Sequence, residues 1–457
     1  MSRLNVDLRL VEKYNVPGPR YTSYPPATHF TNQVPGEALR EKIRECGASN
    51  RDLSLYFHLP FCRSLCWYCG CTTVITTRQD RSAVYLDYLA RELELTTALL
   101  KPGRKVVQIH LGGGTPTFLL PGEIGALGEL IRSHFTVADD VEASVENDPR
   151  RLTHDHVSAL RDAGFNRASV GVQDYDEDVQ RAVHRLQSRQ TTERAVHWLR
   201  EAGFESLNID LMYGLPFQTV ESFERTLEEV LKLSPDRLAV FNYAHVPWLK
   251  PAQKRLREEM LPAPAIKLQL LKLTIEKLTS QGYVYIGMDH FVRENDEMAL
   301  AQRQKTLQRN FQGYSTCGGA DLHAFGMSAI SQADGIYWQN HKELPAYYSM
   351  LDQRSQPVAK AYFLTEEDKL RRRTIMRLMC DLSLDFAEMS RSLNVDFKSH
   401  FASELASLAD LEADGLVTRT SGGLEVTDLG RLLIRNIAMR FDAYLPAARE
   451  GRYSKTI

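Results

Sequence analysis

Few features here point to a membrane, a secretory route or a polyanionic partner. No apolar run is long enough to span a bilayer. The opening Met1-Ser-Arg-Leu-Asn-Val-Asp-Leu-Arg-Leu10 interrupts its apolar residues with charge, so no signal-peptide core can be drawn. Charge is nearly balanced, with 56 Lys and Arg against 58 Asp and Glu, which argues against general nucleic-acid or anionic-membrane binding. Cysteine is scarce, at seven residues. A cytoplasmic location is expected, and in that reducing setting clustered cysteines signal metal or catalysis rather than disulfides. Cys46, Cys317 and Cys380 are scattered, whereas Cys62, Cys66, Cys69 and Cys71 are packed together. With 43% hydrophobic residues the chain can bury a large core.

From residue 53 to 244, β-rich apolar runs alternate with amphipathic stretches, the pattern of repeated βα units around a parallel sheet. Strands are predicted at Leu53–Leu59, Val106–Leu111, Val141–Glu146, Arg167–Val172, Leu207–Tyr213 and Arg237–Tyr243. Helices are predicted at Ser82–Leu100, Gly122–His134, Thr153–Ala163, Thr192–Ala202 and Val220–Leu231. The fold class is therefore α/β. Six units fall short of eight, so an open, partial (β/α)6 barrel is the simplest closure. Its functional residues belong at the C-terminal ends of the strands. Beyond it, Pro262–Gly282 reads as a helix, Tyr283–Phe291 as a strand and Arg309–Asp321 as a polar, Gly-rich loop. Glu366–Leu382 and Ser399–Ala413 look helical, and a hairpin is expected after Gly415, giving a mostly helical, winged-helix-like end. The expected organisation is an N-terminal extension over residues 1–50, a catalytic domain over 51–360 and a C-terminal domain over 361–457. The last lacks a basic stripe for nucleic acid, so a lid or packing role is favoured.

Cys62-x3-Cys66-x2-Cys69 follows the first strand directly. Three thiolates so close can grip one inorganic group, and a four-iron cube with three protein ligands keeps one iron open for chemistry. A zinc site, or a closed cluster using Cys71, is the alternative. Gly112-Gly113-Gly114-Thr115-Pro116-Thr117 ends the second strand without the Lys-Ser/Thr of a phosphate loop. Glu146, Gln173, Arg185 and Asp210 lie at or beyond later strand ends, a ring around one barrel mouth.

The x3/x2 spacing, with Tyr68 between the last two cysteines, resembles the radical S-adenosylmethionine superfamily. The resemblance narrows to the oxygen-independent coproporphyrinogen III oxidases through Gly18–Pro25, Tyr56-x-His58-x-Pro60-Phe61-Cys62, Cys69-Gly70-Cys71, Val172-Gln173-Asp174, Asn208–Pro216, Phe241–His245 and Arg309–Tyr314. It implies a [4Fe-4S] cluster on Cys62, Cys66 and Cys69, with one open iron, and two S-adenosylmethionine molecules. Tyr56, Gly113, Glu146 and Ile330, with backbone near Phe311 and Gln312, would contact the cluster-bound molecule. Tyr68, Gly114, Thr115, Gln173, Arg185, Asp210 and Ala244 would line the second position. Tyr56, His58 and Cys71 are the candidate catalytic residues, Cys71 staying off the cluster. The implied reaction converts two propionates of coproporphyrinogen III to vinyl groups, giving protoporphyrinogen IX in haem biosynthesis. An electron donor and an electron acceptor are implied, and a monomer is expected. Arg20, Arg309 and Lys250 are candidates for the substrate carboxylates.

Pro26, Cys317 and Ala324 depart from the family pattern, and Ala324 bears on the loop leading to Ile330. A related haem chaperone and a radical haem-degrading methyltransferase are the competing readings. The chaperone pattern lacks the Pro19–Pro25 stretch and a cysteine at position 71, and both are present here.

Overall fold

The structure, a computed structural model, describes residues 6–33, 36–445, 453 and 455–456. The outermost residues of the expected N-terminal extension and C-terminal domain lie outside the described residues.

Six strands form the barrel: β1 (Leu53–Leu59), β2 (Lys105–Gly113), β3 (Thr136–Asn147), β4 (Arg167–Gln173), β5 (Ser206–Tyr213) and β6 (Arg237–Asn242). They pair in chain order and in parallel. Parallel neighbours need crossover connections. These are the helices α1 (Asp80–Thr97), α2 (Pro121–His134), α3 (His154–Asp162), α4 (Arg189–Glu201) and α5 (Val220–Lys232). Local chemistry starts each helix where it does. Thr153, Ser188 and Thr219 side chains accept the amides of His156, Thr191 and Ser222 at the N-termini of α3, α4 and α5. At α2, Pro121 occupies the first turn and Glu123 accepts from the Leu120 amide at 2.7 Å.

After α6 (Pro264–Ser280) come β7 (Tyr283–Gly287), β8 (His290–Arg293), β9 (Asp321–Phe325), β10 (Ile330–Ala333), β11 (Ile336–Asn340) and β12 (Val358–Phe363). The full sheet has twelve strands, in the order β12-β11-β10-β9-β1-β2-β3-β4-β5-β6-β8-β7. Several features differ from the sequence expectation. The single strand over Tyr283–Phe291 is a hairpin, because the chain reverses at Gly287 and Met288, both at positive φ. Asp321–Phe325 is a seventh parallel strand, paired with β1 on the side away from β2. The expected loop Arg309–Asp321 is itself folded, with Gln308–Asn310 paired to Gly313–Ser315.

The C-terminal segment begins with α7 (Glu366–Asp381), whose start is capped by Thr365, and continues into a small sheet. There the predicted hairpin, Val417–Arg419 and Gly423–Val426, is joined by Ser383–Asp385. The helix expected over Ser399–Ala413 is three short pieces, Phe397–His400, Ala402–Ala406 and Ala409–Ala413. Their breaks let Phe401, Leu405, Leu408 and Leu411 all turn inward. One continuous buried apolar cluster runs from Leu55 and Phe57 of β1 to Phe397, Ile437 and Phe441, so this segment is packed onto the barrel. Among the described residues, no helix is long and apolar enough to cross a membrane.

Candidate active site

The cysteine loop leaves the end of β1 and returns through a short parallel pair, Phe61–Cys62 with Val74–Ile75. It is braced on several sides. The Trp67 amide donates to the Val183 carbonyl at 3.0 Å, Gln253 Nε2 to the Tyr68 carbonyl at 3.0 Å, and Lys250 Nζ to the Cys71 carbonyl at 3.0 Å. The amides of Gly114 and Thr115 donate to the carbonyls of Leu59 and Phe61, locking the glycine turn after β2 against the loop's first residues.

Cys62, Cys66 and Cys69 open onto one cavity of about 480 Å³ that runs through the barrel lumen from the C-terminal ends of the strands to Arg167 and Arg237 at the start of β4 and β6. Arg185 and Arg150 donate to Cys66 Sγ at 3.6 and 3.7 Å, and Thr115 Oγ1 lies 3.4 Å from Cys62 Sγ. The Cys69 thiol is pushed down by hydrogen bonding from Cys71, its side chain foremost, and Cys71 is pushed up by the same pairing and by burial. Burial raises the Cys62 thiol to about 11, against the Thr115 hydrogen bond that lowers it. Asp148 is held at about 2: burial opposes ionisation, but Arg185 and Arg150 outweigh it.

Glu146, at the end of β3, takes the Gly113 amide at 3.2 Å and His110 Nε2 at 3.3 Å. Those bonds overcome its burial and hold it below the usual carboxylate range, ready to accept from hydroxyls. Asp210 on β5 accepts from Ser169 and Asn208, each at 2.7 Å, yet burial raises it to about 6. Among the described residues, six buried polar atoms of cavity-lining side chains have no partner: Asn147 Oδ1, Arg167 Nε, Gln173 Oε1, Arg185 Nε, His290 Nδ1 and Gln312 Nε2. At the opposite end of the barrel, Arg167 and Arg237 are tied to Glu297 and Asp296.

Most of the expected residues therefore meet. Tyr68, Cys71, Gly113, Gly114, Thr115, Glu146, Gln173, Arg185, Asp210 and Gln312 share the cavity with the three cysteines. Others stand elsewhere. Tyr56, on the strand face opposite Leu55 and Phe57, stacks its ring at 5.8 Å on His110, which lines the cavity, and its hydroxyl donates to His58 Nδ1 at 3.1 Å. Burial keeps His58 neutral, and its Nε2 donates to the Thr72 carbonyl at 2.8 Å. His58 is thus a strut between β1 and the cysteine loop. Phe311 and Ile330 pack in an apolar cluster around Phe30 and Tyr337. Ala244 faces a second cavity, which Arg20 also lines. Arg309 is buried over the Tyr314 ring, donating to the Arg20 carbonyl at 3.3 Å. The sequence reading missed His110, Asp148, Arg150 and His290, which also line the site. Asp148 and Arg150 follow β3 immediately, and their strand-end position was the available signal.

The donor set fits an iron–sulfur cluster with a nucleoside sulfonium beside it. Three sulfurs edge a roomy cavity, guanidiniums support one of them, and unpartnered polar atoms await a polar ligand. Among the described residues, no group of three or more Cys, His, Asp or Glu is placed to hold a single metal ion.

Residues 56–230 match the radical SAM superfamily, and residues 364–433 match the HemN C-terminal domain. The oxygen-independent coproporphyrinogen III oxidase of Escherichia coli K12 is 46% identical over 458 residues, covering all of both chains. The chain belongs to the oxygen-independent coproporphyrinogen III oxidases. The Synechocystis member of this family is 44% identical over 453 residues, covering 98% of this chain and 97% of its own. The solved structure of the E. coli coproporphyrinogen III oxidase HemN, described as a radical SAM enzyme, superposes with a TM-score of 0.92 at 44% sequence identity. That superposition covers 97% of this chain and 100% of the other. The fold is the radical SAM barrel of that family, with its mostly helical C-terminal segment.

Proposed function

We propose that this enzyme carries out the oxidative decarboxylation of coproporphyrinogen III to protoporphyrinogen IX without oxygen. The observation that carries the reading is the convergence of Cys62, Cys66 and Cys69 on one strand-end cavity, in a chain that matches coproporphyrinogen III oxidases end to end. The chemistry that a bound [4Fe-4S] cluster and S-adenosylmethionine would supply is a 5′-deoxyadenosyl radical able to take hydrogen from a propionate carbon, after which CO2 leaves and one electron passes to an acceptor.

The three cysteines would hold the cluster, leaving one iron open, and Cys71 would stay off it. The ligand count rests on the x3/x2 spacing of Cys62, Cys66 and Cys69; Cys71 lines the same cavity, with its amide donating to Cys69 Sγ at 3.4 Å. Glu146 and the Gly113 turn would seat the first cofactor molecule, with Glu146 accepting ribose hydroxyls. Gln173, Arg185 and Asp210, which line the same cavity, would receive a second. Two cofactor molecules suit a reaction performed twice. Tyr56 and His58 would act through position, holding β1 to the cysteine loop. Walls closed by β1 to β6 and a floor sealed by ion pairs would keep water from the radical. The remaining features of the reading are an electron donor and acceptor bound transiently, a monomer in the cytoplasm, and an organisation into segments 1–50, 51–360 and 361–457.

The test is anaerobic reconstitution followed by incubation with coproporphyrinogen III, S-adenosylmethionine and a reductant. Protoporphyrinogen with 5′-deoxyadenosine is expected. Deoxyadenosine without porphyrin product, or ring opening of added haem, would refute the assignment.

A further inference from the structure

The second cavity, of about 520 Å³, lies at the same end of the barrel, beyond the strand wall. Neighbouring residues divide between the two spaces. Met212, Phe241 and His290 line the first, whereas Tyr213, Asn242 and Asp289 line the second. Alternating side-chain direction along a strand produces this partition.

Its charge is lopsided. Arg20, Lys267, Arg435 and Lys455 line it, and among the described lining residues Asp289 is the single carboxylate, already paired with Arg20. Arg435 is 5% exposed and spends its donors on backbone carbonyls of Gly18, Pro19, Lys455 and Thr456 rather than on a carboxylate. Burial and the nearby Arg20 pull its guanidinium down to about 9. Among the described residues, the Lys267 ammonium donates to the Tyr243 carbonyl at 3.3 Å and lies over the Tyr243 ring at 5.9 Å, with no carboxylate bonded to it, and burial, then Lys455, lowers it as well. Arg435 is buried with no carboxylate bonded to it and Lys267 is half-buried beside it, an arrangement that is costly and that an anionic ligand relieves.

The chain also makes room for Lys267. Gly214 has φ +84, and a Cβ there would stand 2.7 Å from Lys267 Cε. Around the cations the walls are aromatic, from Tyr213, Tyr243 and Tyr285. The rim carries Trp248 and Leu249, 66% and 69% exposed, an apolar pair with nothing over it among the described residues. The next residue, Lys250, holds the Cys71 carbonyl, so this rim is tethered to the cysteine loop.

We infer that this cavity is a binding site for a ligand with an apolar ring body bearing at least two carboxylates. Its identification as a polycarboxylated tetrapyrrole rests on the activity proposed above. The cavity would then grip propionates that are not reacting, while Trp248 and Leu249 cover the ring.

The experiment titrates the anaerobic, cluster-loaded enzyme with coproporphyrin III, the oxidised and unreactive form of the ring, following porphyrin fluorescence. Lys267→Met is expected to weaken binding about tenfold or more, the loss of one charge-assisted hydrogen bond. Lys272→Met, on the same helix and paired with Glu276, is the control and is expected to bind within about twofold of wild type. Circular dichroism checks that both variants are folded. Lys267→Met binding the probe as wild type does would overturn the site. With weakened binding in hand, a matching rise in KM places the substrate itself in this cavity, and an unchanged KM makes it a separate site of the same chemistry. Failure of the proposed activity would show in wild type as absent decarboxylation, and the titration would still report on the cavity.

Discussion

Replacing Gly113 with alanine gives a prediction whose size follows from the geometry. Gly113 sits at φ +110, where an L side chain costs about 1–3 kcal/mol. The new Cβ would lie 2.7 Å from both Cε1 and Nδ1 of His58, closer than carbon tolerates. That imidazole cannot simply yield, since it is pinned by the Thr72 carbonyl and the Tyr56 hydroxyl. Displacing it sacrifices two buried hydrogen bonds, at about 1 kcal/mol each. The sum is roughly 3–5 kcal/mol. Urea unfolding of the apo-protein, followed by circular dichroism, measures it, and iron and sulfide content after reconstitution reports the cysteine loop. His58→Ala should relieve the collision, so the double variant should be more stable than the two single losses add to, by about 2 kcal/mol. A Gly113→Ala protein within about 1 kcal/mol of wild type that loads a normal cluster would refute the reasoning.

Cys62→Ser, Cys66→Ser and Cys69→Ser should each abolish S-adenosylmethionine cleavage, whereas Cys71→Ser should keep a cluster whose electron-spin-resonance signal still changes on adding the cofactor. Loss of the cluster in Cys71→Ser as complete as in Cys66→Ser would exclude the open iron. Arg104→Met should cost about 3–5 kcal/mol, because Arg104 and Asp321 form a fully buried pair at 2.5 Å; Arg51→Met, which removes the exposed partner of the same carboxylate, should cost under about 1 kcal/mol. Both are read by denaturant unfolding. Asp210 has its pKa raised from 3.8 to about 6, so the folded state holds that proton longer than the unfolded chain does, and wild type loses stability as pH rises across this interval. Asp210→Asn should therefore be stabilised relative to wild type at pH 7 and not near pH 4, and equal differences at both would contradict the sign.

The barrel was readable because its strands are runs such as Leu53-Ser-Leu-Tyr-Phe-His-Leu59, buried on both faces and nearly free of charge. The seventh parallel strand escaped because Asp321-Leu-His-Ala-Phe325 hides a buried strand behind polar letters. Arg104 neutralises Asp321, and His323 stays uncharged against Trp338, its pKa lowered by burial to about 4. Tyr283–Phe291 read as one strand because the turn carries a single signature, Gly287, and its second positive-φ residue is Met288, which has none. Glu146, Gln173 and Asp210 followed from strand ends, whereas Ala244, implied only by the resemblance, stands two residues past β6 and lines the second cavity. The second cavity had no local signal, since Arg20 and Lys455 meet only through the folded termini, where Pro17 bridges to Lys455.

The braces on the cysteine loop carry a further consequence for how the enzyme matures. The loop emerges early from the ribosome, yet Val183, Lys250 and Gln253, which fix Trp67, Cys71 and Tyr68, are synthesised more than a hundred residues later. Until those residues arrive the loop lacks these braces, so an inorganic centre would find its finished seat only once the chain has been made at least as far as Gln253 of 457 residues.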